Sequence, residues 1–311
     1  MQGRWIGPAC AVVGVVGFSF KAIFVKLAFR DSTVDVSTLL ALRMIYSTPL
    51  LLLMAWYASR QSAAPRMTRG DWLRIAWFGF TAYYLASVFD FLGLRYISAS
   101  LERLILFLYP TFVVLLSALL LGVRVTRRAA AALALSYAGI VVAFAHDVRF
   151  AGNPRETVVG SLLVLSCAVI YALYLVQSGA LIARLGSLRF IAWAMLVSVA
   201  FVMLQFLIVH PVSALAVSPR VHALSFGMAV VSTVIPTWLI AESVRRIGAN
   251  QSSLIGAMGP MITMAFGAVL LDEPIEALQV VGAALVLAGV LLVSLRPSRR
   301  SPLAEAAVPE R

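Results

Sequence analysis

The sequence predicts an all-α integral membrane protein with ten transmembrane helices arranged as two inverted five-helix repeats. Three observations predict this fold: ten long apolar runs, Lys and Arg concentrated in alternate loops, and an internal similarity at an offset of 150 residues. Of the 311 residues, 62% are apolar and 12% are charged, whereas soluble domains are about 45–50% apolar and about 25% charged. Most of the chain is therefore expected to face lipid or other helices.

The apolar runs define the helices. A helix that crosses a bilayer needs about 20 mostly apolar residues, and aromatic residues such as Trp56 and Trp72 lie near the ends of the runs, as interfacial aromatics do. The predicted spans are 6–29, 36–58, 72–94, 98–121, 127–145, 158–182, 190–210, 222–244, 249–271 and 276–295.

The basic residues predict the orientation of these spans. Of the 25 Lys and Arg, 16 fall on one side when loops are counted alternately and 6 on the other, while Lys21, Lys26 and Arg43 lie within spans. Cytoplasmic loops carry the excess of Lys and Arg, so both termini are predicted to be cytoplasmic. The sequence has no long run of basic residues, so nucleic acid is not an expected partner.

The internal similarity divides the chain into two halves. Residues 95–139 match residues 245–289 at 13 of 45 positions without a gap. Each half has five spans, an odd number, so the second half must enter the membrane from the opposite side. The predicted domains are a first repeat over 1–146, an external connecting loop over 147–157, a second repeat over 158–296 and a disordered cytoplasmic tail over 297–311.

Charged residues inside the spans are the first candidates for a functional site, because a charge in the bilayer is costly and usually functional. Six charges on four helices converge on the outer half of the first repeat: Lys21, Lys26, Arg43, Asp90, Glu102 and Arg103. They could bind or gate a substrate, or they could form ion pairs and reach towards the headgroups. The second interpretation is favoured for Lys26 and Arg103, and the first for the deeper Lys21, Arg43 and Asp90.

Polar side chains at helical spacing extend this set. They line a cavity or join packed helices by hydrogen bonds, and the sequence leaves both interpretations open. The candidate substrate-binding or coupling residues are Lys21, Arg43, Tyr83, Ser87, Asp90, Glu102, Tyr109, Tyr171 and Tyr174. Asp90, as the deepest acid, is the best candidate for a proton-coupling group.

Three prolines lie inside predicted spans. Proline removes a hydrogen bond within the helix, so Pro110, Pro236 and Pro260 are candidate hinges or packed kinks. Pro110 and Pro260 occupy equivalent positions of the two repeats.

Motifs of soluble enzymes are missing: the sequence has no phosphate-binding glycine loop, no HExxH and no metal-ligand spacing among its histidines. No metal, cofactor or enzymatic activity is predicted.

Three segments carry a resemblance to a known family: LALR at 40–43, ISASLERLILFLYP at 97–110 and LLDEPIEALQVVGAALVLAGVLL at 270–292. With the internal repeat, they resemble the EamA-type transporters of the drug/metabolite transporter superfamily. The resemblance implies export or exchange of small metabolites, often amino acids, across the bacterial inner membrane.

The sequence therefore predicts a multi-pass secondary transporter working by alternating access on a small polar metabolite, such as an amino acid or related compound. The excess of positive charge in the cluster suits a carboxylate. One alternative is an exporter of cationic drugs, although the first helix carries Lys21 and Lys26 and no acid; another is an intramembrane enzyme. Expected partners are the lipid bilayer, a small-molecule substrate and protons for coupling, and a homodimer is left open.

Overall fold

The computed structural model describes residues 5–31, 34–60, 66–122, 125–150 and 153–294, and the regular structure within these ranges is entirely helical. The α-helices are α1 (Ile6–Asp31), α2 (Val36–Ser59), α3 (Arg69–Phe78), α4 (Ala86–Gly93), α5 (Ala99–Leu106), α6 (Tyr109–Leu121), α7 (Arg127–Phe150), α8 (Pro154–Leu185), α9 (Ser187–Val209), α10 (Pro219–Ala229), α11 (Ile235–Gly256), α12 (Gly259–Leu270) and α13 (Ala277–Ser294). The backbone of α11 is kinked at Gly248, which has a left-handed φ of 82°. Two π-helical segments, Gly79–Leu85 and Val230–Val234, join α3 to α4 and α10 to α11, and a 3-10 turn covers Val212–Leu215.

Eight of the described helical stretches are long and apolar enough to cross a membrane, and two shorter apolar helices, Gly259–Leu270 and Ala277–Leu292, follow them. The bounds of the eight agree within four residues with the first eight predicted spans. Large apolar side chains cover the outside of the molecule: Leu119 is 80% exposed, Val269 77% and Ile208 74%. Such a surface is suited to lipid, where helices satisfy their own backbone hydrogen bonds.

Side-chain caps fix where several helices begin. The Asp35 carboxylate accepts hydrogen bonds from the first backbone amides of α2, and Thr68 forms a capping box at the start of α3. The predicted connecting loop over 147–157 is largely helical, because α7 continues to Phe150 and α8 already begins at Pro154, after the capping residue Asn153. The predicted tail over 297–311 lies outside the described residues.

Two predicted spans are interrupted. The span predicted over 98–121 breaks at residues 107–108, between α5 and α6, and the span predicted over 249–271 breaks at residues 257–258, between α11 and α12. Each break lies two to three residues before the proline that is predicted to interrupt that span. Pro110 and Pro260 each lie in the first turn of the helix that follows the break, where proline removes no hydrogen bond that the helix needs. The two breaks are separated by the 150-residue offset of the internal similarity, and the two π-helical segments overlap at the same offset.

Small residues bring α7 and α13 close together. A Cβ atom on Gly139 would lie 2.6 Å from the carbonyl oxygen of Gly282, and a Cβ atom on Gly282 would lie 2.7 Å from that of Gly139. Close approach of backbones at small residues is a common packing mode of membrane helices. Elsewhere α5 packs against α1, α8 and α12, and α4 packs against α8, so the polar side chains of α1, α4, α5 and α8 meet in one region.

Candidate functional site

Three of the predicted site residues form a buried ionic cluster. The Lys21 ammonium on α1 donates a hydrogen bond to Asp90 Oδ2 on α4, with an Nζ–Oδ2 distance of 2.7 Å. Lys21 Nζ also lies 2.9 Å from Glu102 Oε1 on α5. The side chain of Lys21 is 18% exposed, that of Asp90 4% and that of Glu102 0%. One ammonium group therefore contacts two carboxyl groups from different helices.

Glu102 is more deeply enclosed than its sequence position indicates. It lies near the start of a predicted span, yet α1, α8 and α12 pack around α5 and leave its side chain fully buried. The contact between Lys21 Nζ and Glu102 Oε1 is an ion pair of 2.9 Å that makes no hydrogen bond in the described structure. Accordingly, Glu102 Oε1, Glu102 Oε2 and Asp90 Oδ1 are buried atoms without a hydrogen-bond partner among the described residues. Buried polar atoms rarely remain unpaired without a reason.

Arg43 is the second deep cation of the sequence-predicted set. Its residue is 8% exposed, and its guanidinium carbon lies 5.2 Å from the centroid of the Phe91 ring, a cation–π arrangement. Arg43 Nε is buried and makes no hydrogen bond within the described parts of the chain. The guanidinium is attracted by the charge of Asp90 without contacting it as closely as Lys21 does.

The two outer cations, which the sequence analysis assigns to the headgroup region, differ from each other. The Lys26 ammonium donates hydrogen bonds to the carbonyl oxygens of Leu94 (3.2 Å) and Ile97 (2.9 Å), so it holds the turn that follows α4. Arg103 is instead directed at the break before α12: a Cβ atom on Gly259 would lie 2.9 Å from an Arg103 guanidinium nitrogen. A side chain at position 259 would require this guanidinium to shift, and Arg103 Nε is buried without a hydrogen-bond partner in the described residues.

The four predicted tyrosines form one aromatic group beside the ionic cluster. The hydroxyl groups of Tyr83 and Tyr174 are 3.2 Å apart, within hydrogen-bond distance. The rings of Tyr109 and Tyr171 meet edge to face at a centroid distance of 5.3 Å, and those of Tyr171 and Tyr174 are 5.5 Å apart. The Ser87 hydroxyl, although predicted as part of this site, makes no hydrogen bond in the described structure.

One face of α8 joins the aromatic group to the ionic cluster. Cys167, Tyr171, Tyr174 and Ser178 recur at helical spacing on this face, and Cys167 interacts electrostatically with Asp90, Lys21 and Glu102. The sequence does not single out Cys167 as part of the site, and for Arg103 it favours a headgroup contact. The spacing of Cys167 to Tyr171, four residues, is the signal that could have indicated the first.

The three candidate hinge prolines lie at discontinuities. Pro110 and Pro260 follow the two helix breaks, and Pro236 follows the π-helical segment Val230–Val234. α1 passes close to this last point, because a Cβ atom on Gly17 would lie 2.6 Å from Pro236 Cγ. The prolines therefore mark places where the helical hydrogen-bond pattern is already interrupted.

Polar contacts also connect the ends of these helices. The Glu273 carboxylate accepts hydrogen bonds from the Ala99 and Ser100 amides at distances of 2.9 and 3.3 Å, and so caps α5 from the turn between α12 and α13. Asp35 Oδ1 lies 3.2 Å from His210 Nε2. Burial raises the pKa of Asp35, but hydrogen bonds from the side chain and backbone of Thr38 outweigh this effect and lower that pKa below its ordinary value of 3.8.

Chemically, the site offers cations, carboxyl groups and hydroxyls rather than metal ligands. Among the described residues, no group of three or more His, Cys, Asp or Glu side chains is arranged to hold a metal ion. Buried cations with free donors can hold an anionic group, and a buried carboxyl pair can hold a proton. The tyrosine rings can contact the apolar part of a small molecule.

Comparison with known proteins identifies relatives over most of the chain. The model of the EamA-like transporter family matches residues 5–145 and 158–295. The chain is 30% identical over 287 residues to the uncharacterized transporter YcbK of Bacillus subtilis (strain 168), covering 89% of this chain and 88% of that protein. It is 27% identical over 205 residues to a probable terminal-alkyne amino-acid exporter of Streptantibioticus cattleyicolor, covering 66% and 67% of the two chains.

A crystal structure at 20% sequence identity supports the fold alone. It superposes with a TM-score of 0.63 and covers 93% of this chain and 96% of the other.

Proposed function

Because the chain belongs to the EamA-like transporter family, we propose that it is a secondary transporter that exports or exchanges a small polar metabolite by alternating access. The family match and the transporter relatives assign it to transport proteins rather than enzymes. The observation that carries the finer proposal is the buried cluster of Lys21, Asp90 and Glu102. Charges in a membrane interior are costly, and they commonly mark substrate or proton pathways.

The substrate class follows from the unpaired donors of the site. Arg43 and Arg103 each keep a buried Nε without a hydrogen-bond partner in the described chain, and arginine binds carboxylates through such donors. A carboxylate or zwitterion, such as an amino acid or related compound, fits this arrangement. The relative described as a probable terminal-alkyne amino-acid exporter supports the same class.

The architecture proposed for this cycle is ten spans in two inverted repeats, residues 1–146 and 158–296. The helix breaks at residues 107–108 and 257–258 support it, since they recur at one offset. Broken helices near the substrate site and inverted repeats are features of several secondary transporters. Pro110, Pro236 and Pro260 would serve as hinges, and the proposed location is the bacterial inner membrane with both termini cytoplasmic.

Export of cationic compounds is a second candidate. Glu102 supports it, because a fully buried carboxyl group with two unpaired oxygens could accept a cation as well as a proton. The choice between the two candidates depends on whether the substrate binds the arginines or the carboxyl groups.

A ligand screen tests the proposal. The purified protein is heated with a panel of amino acids, other carboxylates and organic cations, and each compound that raises the melting temperature is then tested for exchange in proteoliposomes. We expect stabilisation by carboxylates or zwitterions that is lost in Arg43→Gln and retained in Arg155→Gln, which changes an exposed arginine. Stabilisation and exchange by cations alone would favour the second candidate.

A further inference from the structure

The unpaired oxygen atoms of the two buried carboxyl groups indicate a proton that the sequence does not reveal. Asp90 Oδ2 receives the hydrogen bond of Lys21, whereas Asp90 Oδ1 and Glu102 Oε2 receive none from the described residues. The two carboxyl groups are neighbours, because Asp90 Oδ2 and Glu102 Oε1 both contact the same Lys21 Nζ, at 2.7 and 2.9 Å. A carboxyl group donating to a carboxylate would satisfy Asp90 Oδ1 and Glu102 Oε2 at once.

We propose that Glu102 holds a proton in this conformation and donates it in a hydrogen bond to Asp90, and that this is the proton exchanged during transport. Asp90 is then the carboxylate that pairs with the Lys21 ammonium at 2.7 Å. The proton site is independent of the substrate, but its use in coupling rests on the proposed function.

Burial selects Glu102, rather than Asp90, as the protonated group. Its side chain is 0% exposed, and the contact of Oε1 with Lys21 Nζ is not a hydrogen bond. An ionised carboxylate without hydrogen bonds is strongly disfavoured away from water, whereas the neutral acid is tolerated. Asp90, with its well-formed hydrogen bond to the ammonium, is the better place for the negative charge.

The start of α5 does not supply the missing hydrogen bonds. Glu102 lies in the first turn of α5, where backbone amides can stabilise an anion. However, the amides of Ala99 and Ser100 donate to Glu273, and the amide of Leu101 donates to the Ser98 hydroxyl. The nearest amides are therefore occupied by other acceptors.

The charged and titratable groups that face Glu102 are Lys21 from α1, Asp90 from α4 and Cys167 from α8, with Arg103 beside it on α5. Neither Arg103 nor Arg43 forms an ion pair with either carboxyl group within the described chain. When the Glu102 O–H bond breaks, the proton passes to water and its electron pair stays on Glu102. Two carboxylates then share one ammonium, a charge change that can favour a different helix arrangement.

Infrared difference spectroscopy of the purified protein tests this inference without any substrate. At neutral pH we expect the carbonyl band of a protonated carboxylic acid, which shifts in heavy water and disappears as the pH is raised. The band should be lost in Glu102→Gln and kept in Glu156→Gln, since Glu156 is exposed at the start of α8. It should also be lost in Asp90→Asn, because Glu102 then becomes the single partner of Lys21 and ionises.

The melting temperature of each variant shows whether a lost band reflects a misfolded protein. Glutamine resembles the protonated acid, so Glu102→Gln should keep the melting temperature of the unmodified protein. No protonated band in the unmodified protein, a band that survives in Glu102→Gln, or a large fall in melting temperature for Glu102→Gln would each overturn the inference. A protein that shows the band but exchanges no compound of the panel would instead refute the proposed function.

Discussion

At the residue scale, Lys21 is the group on which the charged cluster depends. It contacts Asp90 and Glu102 from two other helices, at 2.7 and 2.9 Å, and it is itself mostly buried. Removing one partner of a buried ion pair leaves an uncompensated charge, which typically costs about 3–5 kcal/mol. The cluster therefore has a measurable structural role beside the functional role proposed for it.

Replacing Lys21 with Met should separate the two roles. We expect Lys21→Met to lose transport and to lower the free energy of unfolding by about 3–5 kcal/mol. The double variant Lys21→Met/Asp90→Asn, which also removes one acid, should regain most of this stability but no transport. Thermal unfolding and substrate exchange measure the two effects separately. Full transport by a well-expressed Lys21→Met protein would end the proposed role of Lys21 in the cycle.

Asp35 gives a pH-dependent prediction outside the membrane spans. Its pKa is lowered in the folded protein, since the hydrogen bonds from Thr38 outweigh the opposing effect of burial. A group with a lowered folded pKa contributes stability above its unfolded pKa, here 3.8, and that contribution is lost as the pH falls through the folded value.

The melting temperature of Asp35→Asn should therefore lie below that of the unmodified protein at neutral pH. The difference should shrink as the pH falls towards and below 3.8. A difference that stays constant between neutral and acidic pH would contradict the assignment.

Part of the candidate site could be predicted from the sequence. Counting along the spans placed Lys21 and Asp90 at similar depth, and the structure joins them. It also placed Glu102 near the outer surface, because depth within a span carries no information about which helices cover it. The inward contact of Arg103 was not predicted for a related reason: its approach to Gly259 depends on the helix break at residues 257–258, far along the chain.

At the element scale, discontinuities distinguish the helices that surround the site. Hydrophobicity predicts the position of a span but not the position of a break within it, and in the span 98–121 the indication of an interruption was Pro110. The structure separates α5 from α6 there, and it inserts a π-helical segment between α3 and α4. The widened π-helical turn changes which residues share a face, so Tyr83 and Asp90 contact different partners, Tyr174 and Lys21.

The contact between α7 and α13 allows a test of packing. Alanine on Gly139 would place Cβ 2.6 Å from the Gly282 carbonyl oxygen, and overpacking of this kind typically costs about 1–3 kcal/mol. Gly139→Ala should therefore lower the melting temperature, although alanine favours helices by about 1 kcal/mol over glycine. The matched control is Gly70→Ala, where the nearest atom lies 3.8 Å away, and it should be neutral or stabilising. Equal melting temperatures for the two variants would contradict the close approach.

At the scale of the whole molecule, the orientation in the membrane remains a prediction from charge. Lys and Arg divide 16 to 6 between alternate loops, and the more basic side is expected to be cytoplasmic. A reporter fused after Arg296 should be cytoplasmic. In a protein with Cys10 and Cys167 replaced by Ser, Glu156→Cys should react with an impermeant maleimide added outside the cell. An external reporter would overturn the orientation and the inverted repeat with it.

The proposed transport cycle requires that an ion gradient drives this protein through the cluster of Lys21, Asp90 and Glu102. The most direct test is substrate flux in proteoliposomes, with and without an imposed pH gradient, for the unmodified protein, Asp90→Asn and the exposed control Glu156→Gln. We predict that the gradient accelerates flux in the unmodified protein and in Glu156→Gln. In Asp90→Asn, exchange should continue without acceleration, because one carboxyl group beside one ammonium leaves no site for the exchanged proton. Gradient-driven flux that persists unchanged in Asp90→Asn would contradict the account.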